Sequence, residues 1–354
     1  MNKVSKTALL VLVSTAASVL VGIAITSYLT IPRIPLLSEG DGLLVFDSEI
    51  GATANPSSHA RRIYPAVADR QPFAFDVYTD NRGARVDGPG QHSPERVDVL
   101  VIGDSFTWGY ALANQETYAR HLARELDTSV SNFAMAAYGT TQSLQMTRRN
   151  SDLKPKLIVY GIIAHHLERN VSPCLPSYYP FCFSASHVAW NDAGKPSIAP
   201  PSSNGVRRFQ QHLAGDFLDP VTWLTHGVDV IRGRIEYGRA VYGMPTEEKK
   251  EEALGFLLRE MQRSADEMGA ELLVVYLPTN YYSAPDSLQR IVGDTRLLDL
   301  TEAFQREKAK GANLYIVGDG HPNQAAHELI SREIAKYVRD NGLLEVTNSR
   351  RQPG

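Results

Sequence analysis

The stretch VDVLVIGDSFTWG (97–109) decides the fold. Val97 to Ile102 is a short apolar run rich in β-branched residues, and it stops at Gly103-Asp104-Ser105. A strand buried on both faces of a parallel sheet reads this way, continuous rather than alternating. Helical character returns by Ala113–Leu126, so Ser105 stands at a strand-to-helix turn. A serine there projects its hydroxyl above the sheet. The first amides of the following helix lack intrahelical acceptors and point the same way. With the positive helix end they can hold a developing oxyanion. The competing reading is a serine helix cap, with Asp104 in the turn.

Outward from this stretch, strands alternate with helices. VSNFAM (130–135), KLIVYGIIA (156–164), ELLVVYLP (271–278) and NLYIVG (313–318) read as further strands. Helices are expected over 113–126, 141–149, 246–269, 296–310 and 323–341, the third capped by Thr246 with acidic first-turn residues. This alternation predicts an α/β fold, a doubly wound α/β/α sandwich with a five-stranded parallel sheet. Two stretches lie outside it. Residues 34–96 read as a linker and N-terminal extension, with FAFDVYTD as a strand. Residues 171–245 form an insertion at a strand's C-terminal end, where open α/β sheets bind ligands. The expected organisation is therefore 1–33, a cytoplasmic stub and apolar helix; 34–96, the extension; 97–345, the main domain; and 346–354, a disordered tail.

A second candidate site is Gly318-Asp319-Gly320-His321-Pro322-Asn323, between the last expected strand and the last helix. A histidine there lies at the same sheet edge as Ser105, and Asp319 is near enough to orient it. Serine, base and orienting acid make up the apparatus of nucleophilic acyl transfer. Alternatively His321 is an exposed residue in a turn rich in Gly and Pro.

Composition narrows the rest. Across 354 residues, 43% are hydrophobic and 21% charged, as in an ordinary globular chain. The formal net charge is -3, with 36 basic and 39 acidic side chains, so nothing electrostatic points to nucleic acid. The mean hydropathy of -0.23 excludes a polytopic membrane protein. There is no phosphate-binding GxxxxGK[ST] and no GxGxxG, so no nucleotide cofactor is implied. His165, His166, His187 and His212 lack metal-ligand spacing, so no metal is expected.

One segment departs from that average. Ala8 to Leu29 reads ALLVLVSTAASVLVGIAITSYL, and no charge falls between Thr7 and Pro32. About twenty such residues cross a hydrocarbon core about 30 Å thick. Lys3 and Lys6 precede it, which favours a cytoplasmic N-terminus and an exported body. A cleaved signal peptide is the alternative, but the stretch is long for one and ends in Ser27-Tyr28-Leu29-Thr30, without a small-x-small site. The two cysteines, Cys174 and Cys182, fit export. They lie close together in a Pro- and Tyr-rich loop, where a disulfide can form; two unpaired thiols are the other reading.

Taken together, GDSF (103–106) and DGHPN (319–323) resemble the first and last blocks of the SGNH/GDSL hydrolase superfamily. The resemblance implies a flavodoxin-like fold, Ser105 as nucleophile, and His321 and Asp319 as base and acid. His327 follows six residues after His321. The family pattern usually puts Asp three residues before His; here that position is Gly318, and Asp319 stands two before. In the second block, Asn132 is followed five residues later by Ala137 where glycine is usual, so the Ala137 amide takes the oxyanion role. In the third block His165 stands where an Asn donor is usual, and an imidazole can also donate an N–H. Asp104, Tyr138, Arg169 and Asn170 are candidates for substrate contact, with a structural turn as the alternative at the last two.

These observations predict a bacterial inner-membrane, single-pass serine esterase with its catalytic domain on the periplasmic side. Its expected substrates are O-acyl groups on envelope glycans, or lipid esters, with cell-envelope polysaccharide machinery as partner. Acyl transfer to an acceptor, or carbohydrate binding without catalysis on the same fold, are the alternatives.

Overall fold

The computed structural model describes residues 3–30, 38–40, 42–64, 73–175, 183–201, 220–280 and 284–344. Five parallel strands form its centre: Val99–Ile102, Val130–Asn132, Leu157–Ile162, Glu271–Tyr276 and Arg296–Asp299. In space Val99–Ile102 lies between Val130–Asn132 and Leu157–Ile162, and the other two follow outward. This is the 2-1-3-4-5 order of flavodoxin-like sheets, whose switch point falls between the first and third strands.

Alternate residues of these strands feed two cores. Leu100, Ile102, Ile158, Tyr160, Leu272 and Val274 pack on one face with Leu144, Leu254, Leu257, Leu258 and Met261. Those partners come from the helices Thr140–Arg149 and Glu247–Met268. Val99, Val101, Leu157, Val159, Leu273 and Val275 pack on the other face with Leu122, Phe304, Leu329, Ile330 and Ile334. Those belong to Tyr118–Glu125, Thr301–Ala309 and Gln324–Asp340. Every residue of Val99–Ile102 is buried, which is why the strand reads as continuous rather than alternating. Each such aliphatic side chain removed from water contributes about 1.5–3 kcal/mol.

The fifth parallel strand is not the one expected. Arg296–Asp299 pairs with Glu271–Tyr276. The stretch 313–318 makes only one isolated bridge, Tyr315 to Pro322. Correspondingly, the expected 296–310 helix divides into a strand, then Thr301–Ala309. The region before residue 97, expected as a linker followed by short strands or loops, contains four strands that join the central sheet. Ser38–Gly40, His59–Tyr64, Phe73–Thr79 and Arg85–Val86 extend the same sheet as antiparallel strands, joined to it at Arg85 opposite Asn132.

Within 171–245, two hairpins (Cys174–Leu175 with Phe183–Ser184, and His187–Trp190 with Pro196–Ala199) precede a helix, Pro220–Tyr242. Cys182 and the tail 346–354 lie outside the described residues. At the other end, Lys3–Thr30 is one helix, and its Ser5–Thr26 segment has a mean hydropathy of 2.5 with no buried residue. It is long and apolar enough to cross a bilayer.

Candidate active site

Ser105 is the first residue of a four-residue helix, Ser105–Trp108, directly above the Val99–Ile102 strand. The capping role falls to Asp104, whose Oδ1 accepts from the Phe106 amide at 3.0 Å. The Ser105 hydroxyl is therefore free of that duty. Tight packing beneath explains the glycine before it. A β-carbon on Gly103 would lie 2.5 Å from Thr107 Oγ1 and 2.7 Å from the Gly161 carbonyl.

His321 reaches the same place from the other end of the chain. Gly318 and Gly320 have φ of 73° and 88°, a region that favours glycine. They fold the loop back so that the Ile316 amide donates to the His321 carbonyl at 2.8 Å. His321 Nε2 lies 2.9 Å from Ser105 Oγ, and Nδ1 lies 2.5 Å from Asp319 Oδ1. The departure at Gly318 thus leaves Asp319 in hydrogen-bonding contact with the ring. Tyr110 stacks on the His321 imidazole with centroids 4.0 Å apart and planes at 24°.

The loop carrying Tyr110 is held by a buried cation. Arg85 Nη1 donates to the carbonyls of Trp108 and Gly109, each at 2.6 Å, and Nη2 to that of Leu112. Burial pushes this guanidinium down to about 9, so it stays cationic at neutral pH.

The residues expected to hold an oxyanion lie in the 133–139 loop and just after the Leu157–Ile162 strand. Ala137 is buried, with φ of 69°. An alanine in this left-handed region costs about 1–2 kcal/mol, and glycine adopts it without strain. Among the described residues, neither the Ser105 nor the Ala137 amide donates to a protein acceptor. His165 precedes the short helix His166–Arg169. Burial, then the Arg169 charge, push its imidazole down against the opposing Asp104 and Glu168 carboxylates.

Beneath the site runs a buried polar network. Asp104 Oδ2 accepts from Arg169 Nη1 at 2.8 Å and lies 3.5 Å from His166 Nε2. Burial alone would raise the Asp104 carboxyl. The His166 ring, the Arg169 charge and the Phe106 amide outweigh it and hold the group at about 2. Burial pushes His166 itself down. Its Nδ1 is 2.6 Å from the Tyr160 hydroxyl, which lies 2.7 Å from Thr140 Oγ1.

The structure thus brings Ser105, Asp319 and His321 together. It places three expected substrate contacts differently. Asp104 is fully buried as cap and ion-pair partner. The Tyr138 ring is buried, and its hydroxyl donates to the Ala52 carbonyl at 2.9 Å. Asn170 is fully buried, accepting from the Thr140 amide at 2.7 Å and donating to Thr140 Oγ1 at 3.0 Å. These three support the site from below rather than face a ligand. Sequence reasoning missed Tyr110 and Arg85. Neither carries a local signal, because each acts on a segment distant in sequence or across a turn.

No family model and no curated protein matches the sequence. Solved structures with a similar chain path include a GDSL-like lipase from Bacteroides thetaiotaomicron (10% identity, 70% of this chain and 89% of that one, TM-score 0.36). Another is a carbohydrate esterase family 2 enzyme with a carbohydrate-binding domain from Corynascus thermopiles (12%, 86% and 99%, 0.37). A third is a family two carbohydrate esterase from Clostridium thermocellum in complex with cellohexaose (12%, 87% and 100%, 0.34).

Proposed function

We propose that this chain is a serine esterase of the SGNH/GDSL type, held to the membrane by its N-terminal helix. The observation that carries the reading is the relay of contacts from Ser105 Oγ through His321 to Asp319. In this reading, His321 Nδ1–H donates to Asp319, which leaves Nε2 as the acceptor of the Ser105 proton. Ser105 Oγ attacks the ester carbonyl as that proton moves to Nε2. The amides of Ser105 and Ala137 and an N–H of His165 hold the oxyanion. The imidazolium then protonates the leaving alkoxide, an acyl-enzyme forms, and His321 activates the water that hydrolyses it.

O-acyl groups on envelope glycans are the proposed substrates. The support for this class is the extracytoplasmic placement that the N-terminal helix implies. With the stub Lys3 and Lys6 inside, the catalytic body stands on the extracytoplasmic side of the inner membrane. There Cys174 and Cys182 are expected to form a disulfide, tested by a mobility shift on reduction that Cys182→Ser should abolish.

The full chain in detergent is expected to hydrolyse aryl acetates. Ser105→Ala and His321→Ala should each lose on the order of 10³-fold or more in kcat. Hydrolysis by Ser105→Ala at the wild-type rate would contradict the assignment.

A further inference from the structure

The helix Pro220–Tyr242 belongs to no part of the site, yet it carries an unusual surface. Among its described residues Gly227, Gly233 and Ala240 are buried, and Tyr237 packs against Ala240 and Cys174. Val228, Ile231 and Ile235 are exposed by 48%, 37% and 51%. At 3.6 residues per turn these three lie within about 60° of one another and about half a turn from Gly233 and Ala240. Apart from Val317, every exposed large hydrophobic residue among those described belongs either to this helix or to Lys3–Thr30.

Those two helices pack on each other. The contact involves the C-terminal part of the N-terminal helix: between Ser5 and Thr26, only Ile23, Ala24 and Thr26 lose exposure. The apolar stripe therefore lies on a helix that packs directly against the apolar N-terminal helix. Arg232, Arg234 and Arg239 are exposed beside the stripe.

We propose that Pro220–Tyr242 lies in the bilayer interface, with Val228, Ile231 and Ile235 among the acyl chains. Arg232, Arg234 and Arg239 reach the phosphates of anionic headgroups, as basic residues flanking an interfacial apolar face do. The proposal rests on Lys3–Thr30 being a retained span. Its consequence is a fixed orientation: the body is held at two points, so the Ser105 edge keeps a constant attitude to the membrane.

The test uses the full chain in vesicles of phosphatidylcholine and phosphatidylglycerol. A photoreactive p-benzoylphenylalanine replaces Leu12, Ile231, Ile235 or, as an exposed control, Glu302. Lipid adducts at 231 and 235 should approach those at 12 and exceed those at 302 several-fold. Adducts at 12 with none at 231 and 235 overturn the interfacial helix and leave the anchor standing. Absence at all three sites removes both. Adducts of twice the chain mass at 231 or 235 would assign the stripe to a second copy and also overturn the proposal. Ile231→Ser/Ile235→Ser is expected to keep aryl acetate hydrolysis in detergent and to gain amide exchange over 227–242 in vesicles, to the level seen in detergent. Unchanged exchange would count against lipid contact.

Discussion

Ala137 is buried and holds a left-handed backbone, with φ of 69°. The strain is local, so it is testable locally. Ala137→Gly should raise stability by up to about 1 kcal/mol, the relieved strain less the extra chain entropy of glycine, with hydrolysis retained. Ala137→Val should lower both, as read by denaturant unfolding and initial rates. Tyr110 acts through the His321 ring it covers. Tyr110→Leu should cut kcat about tenfold, equivalent to about 1.4 kcal/mol, with little change in KM and a shifted pH-rate profile. A change in KM alone would make Tyr110 a binding group instead. At this scale the meeting of Ser105, Asp319 and His321 was legible from two short motifs, one at the end of the Val99–Ile102 strand and one in the Gly-rich turn before the last helix. Tyr110 and Arg85 were not, because their roles arise only when segments distant in sequence meet.

Among the elements, the fifth strand shows what sequence pattern misses. RLLD (296–299) is separated from TEAFQREKA (301–309) by Leu300 alone, so the whole stretch has helical composition. NLYIVG has the better strand composition, and its Leu314 and Tyr315 are buried. Yet Arg296–Asp299 already occupies the sheet edge beside Glu271–Tyr276. The later segment instead turns back to deliver His321. The central strands and the helices that cover them were legible because full burial and amphipathic spacing are written locally. The antiparallel extension was read only in part, since short strands with mixed exposure carry little pattern. Arg85 links that extension to the site. Arg85→Met removes the guanidinium from the Trp108, Gly109 and Leu112 carbonyls, of which Gly109 keeps the Leu112 amide, and should cost about 2–4 kcal/mol by denaturant unfolding. A second element-scale effect is acid sensitivity. His327, on Gln324–Asp340, is fully buried and accepts from the Tyr118 amide at 3.0 Å. Burial, with the nearby Arg85 charge, pushes it from its ordinary 6.5 to about 3. The unfolded chain therefore takes up a proton that the folded one refuses. Stability is full above 6.5 and falls by up to about 1.4 kcal/mol per pH unit between there and about 3. His327→Gln should show a shallower acid limb in unfolding measured across that range. An unchanged limb would remove His327 as its source.

For the whole molecule, the arrangement is one doubly wound sheet, widened by antiparallel strands, with an apolar helix at one end of the chain. The full chain is expected to stay with membranes through alkaline carbonate extraction. Release into the supernatant at its full length would contradict a span. The central claim is narrower: Ser105 is a nucleophile activated by His321 and Asp319. The most direct measurement is the site of covalent labelling by a fluorophosphonate, read by peptide mass spectrometry on the full chain and on His321→Ala. The expected result is a single adduct on Ser105 in the wild type, with labelling strongly slowed in His321→Ala. An adduct on another serine, or labelling of Ser105 at an equal rate without His321, would contradict it.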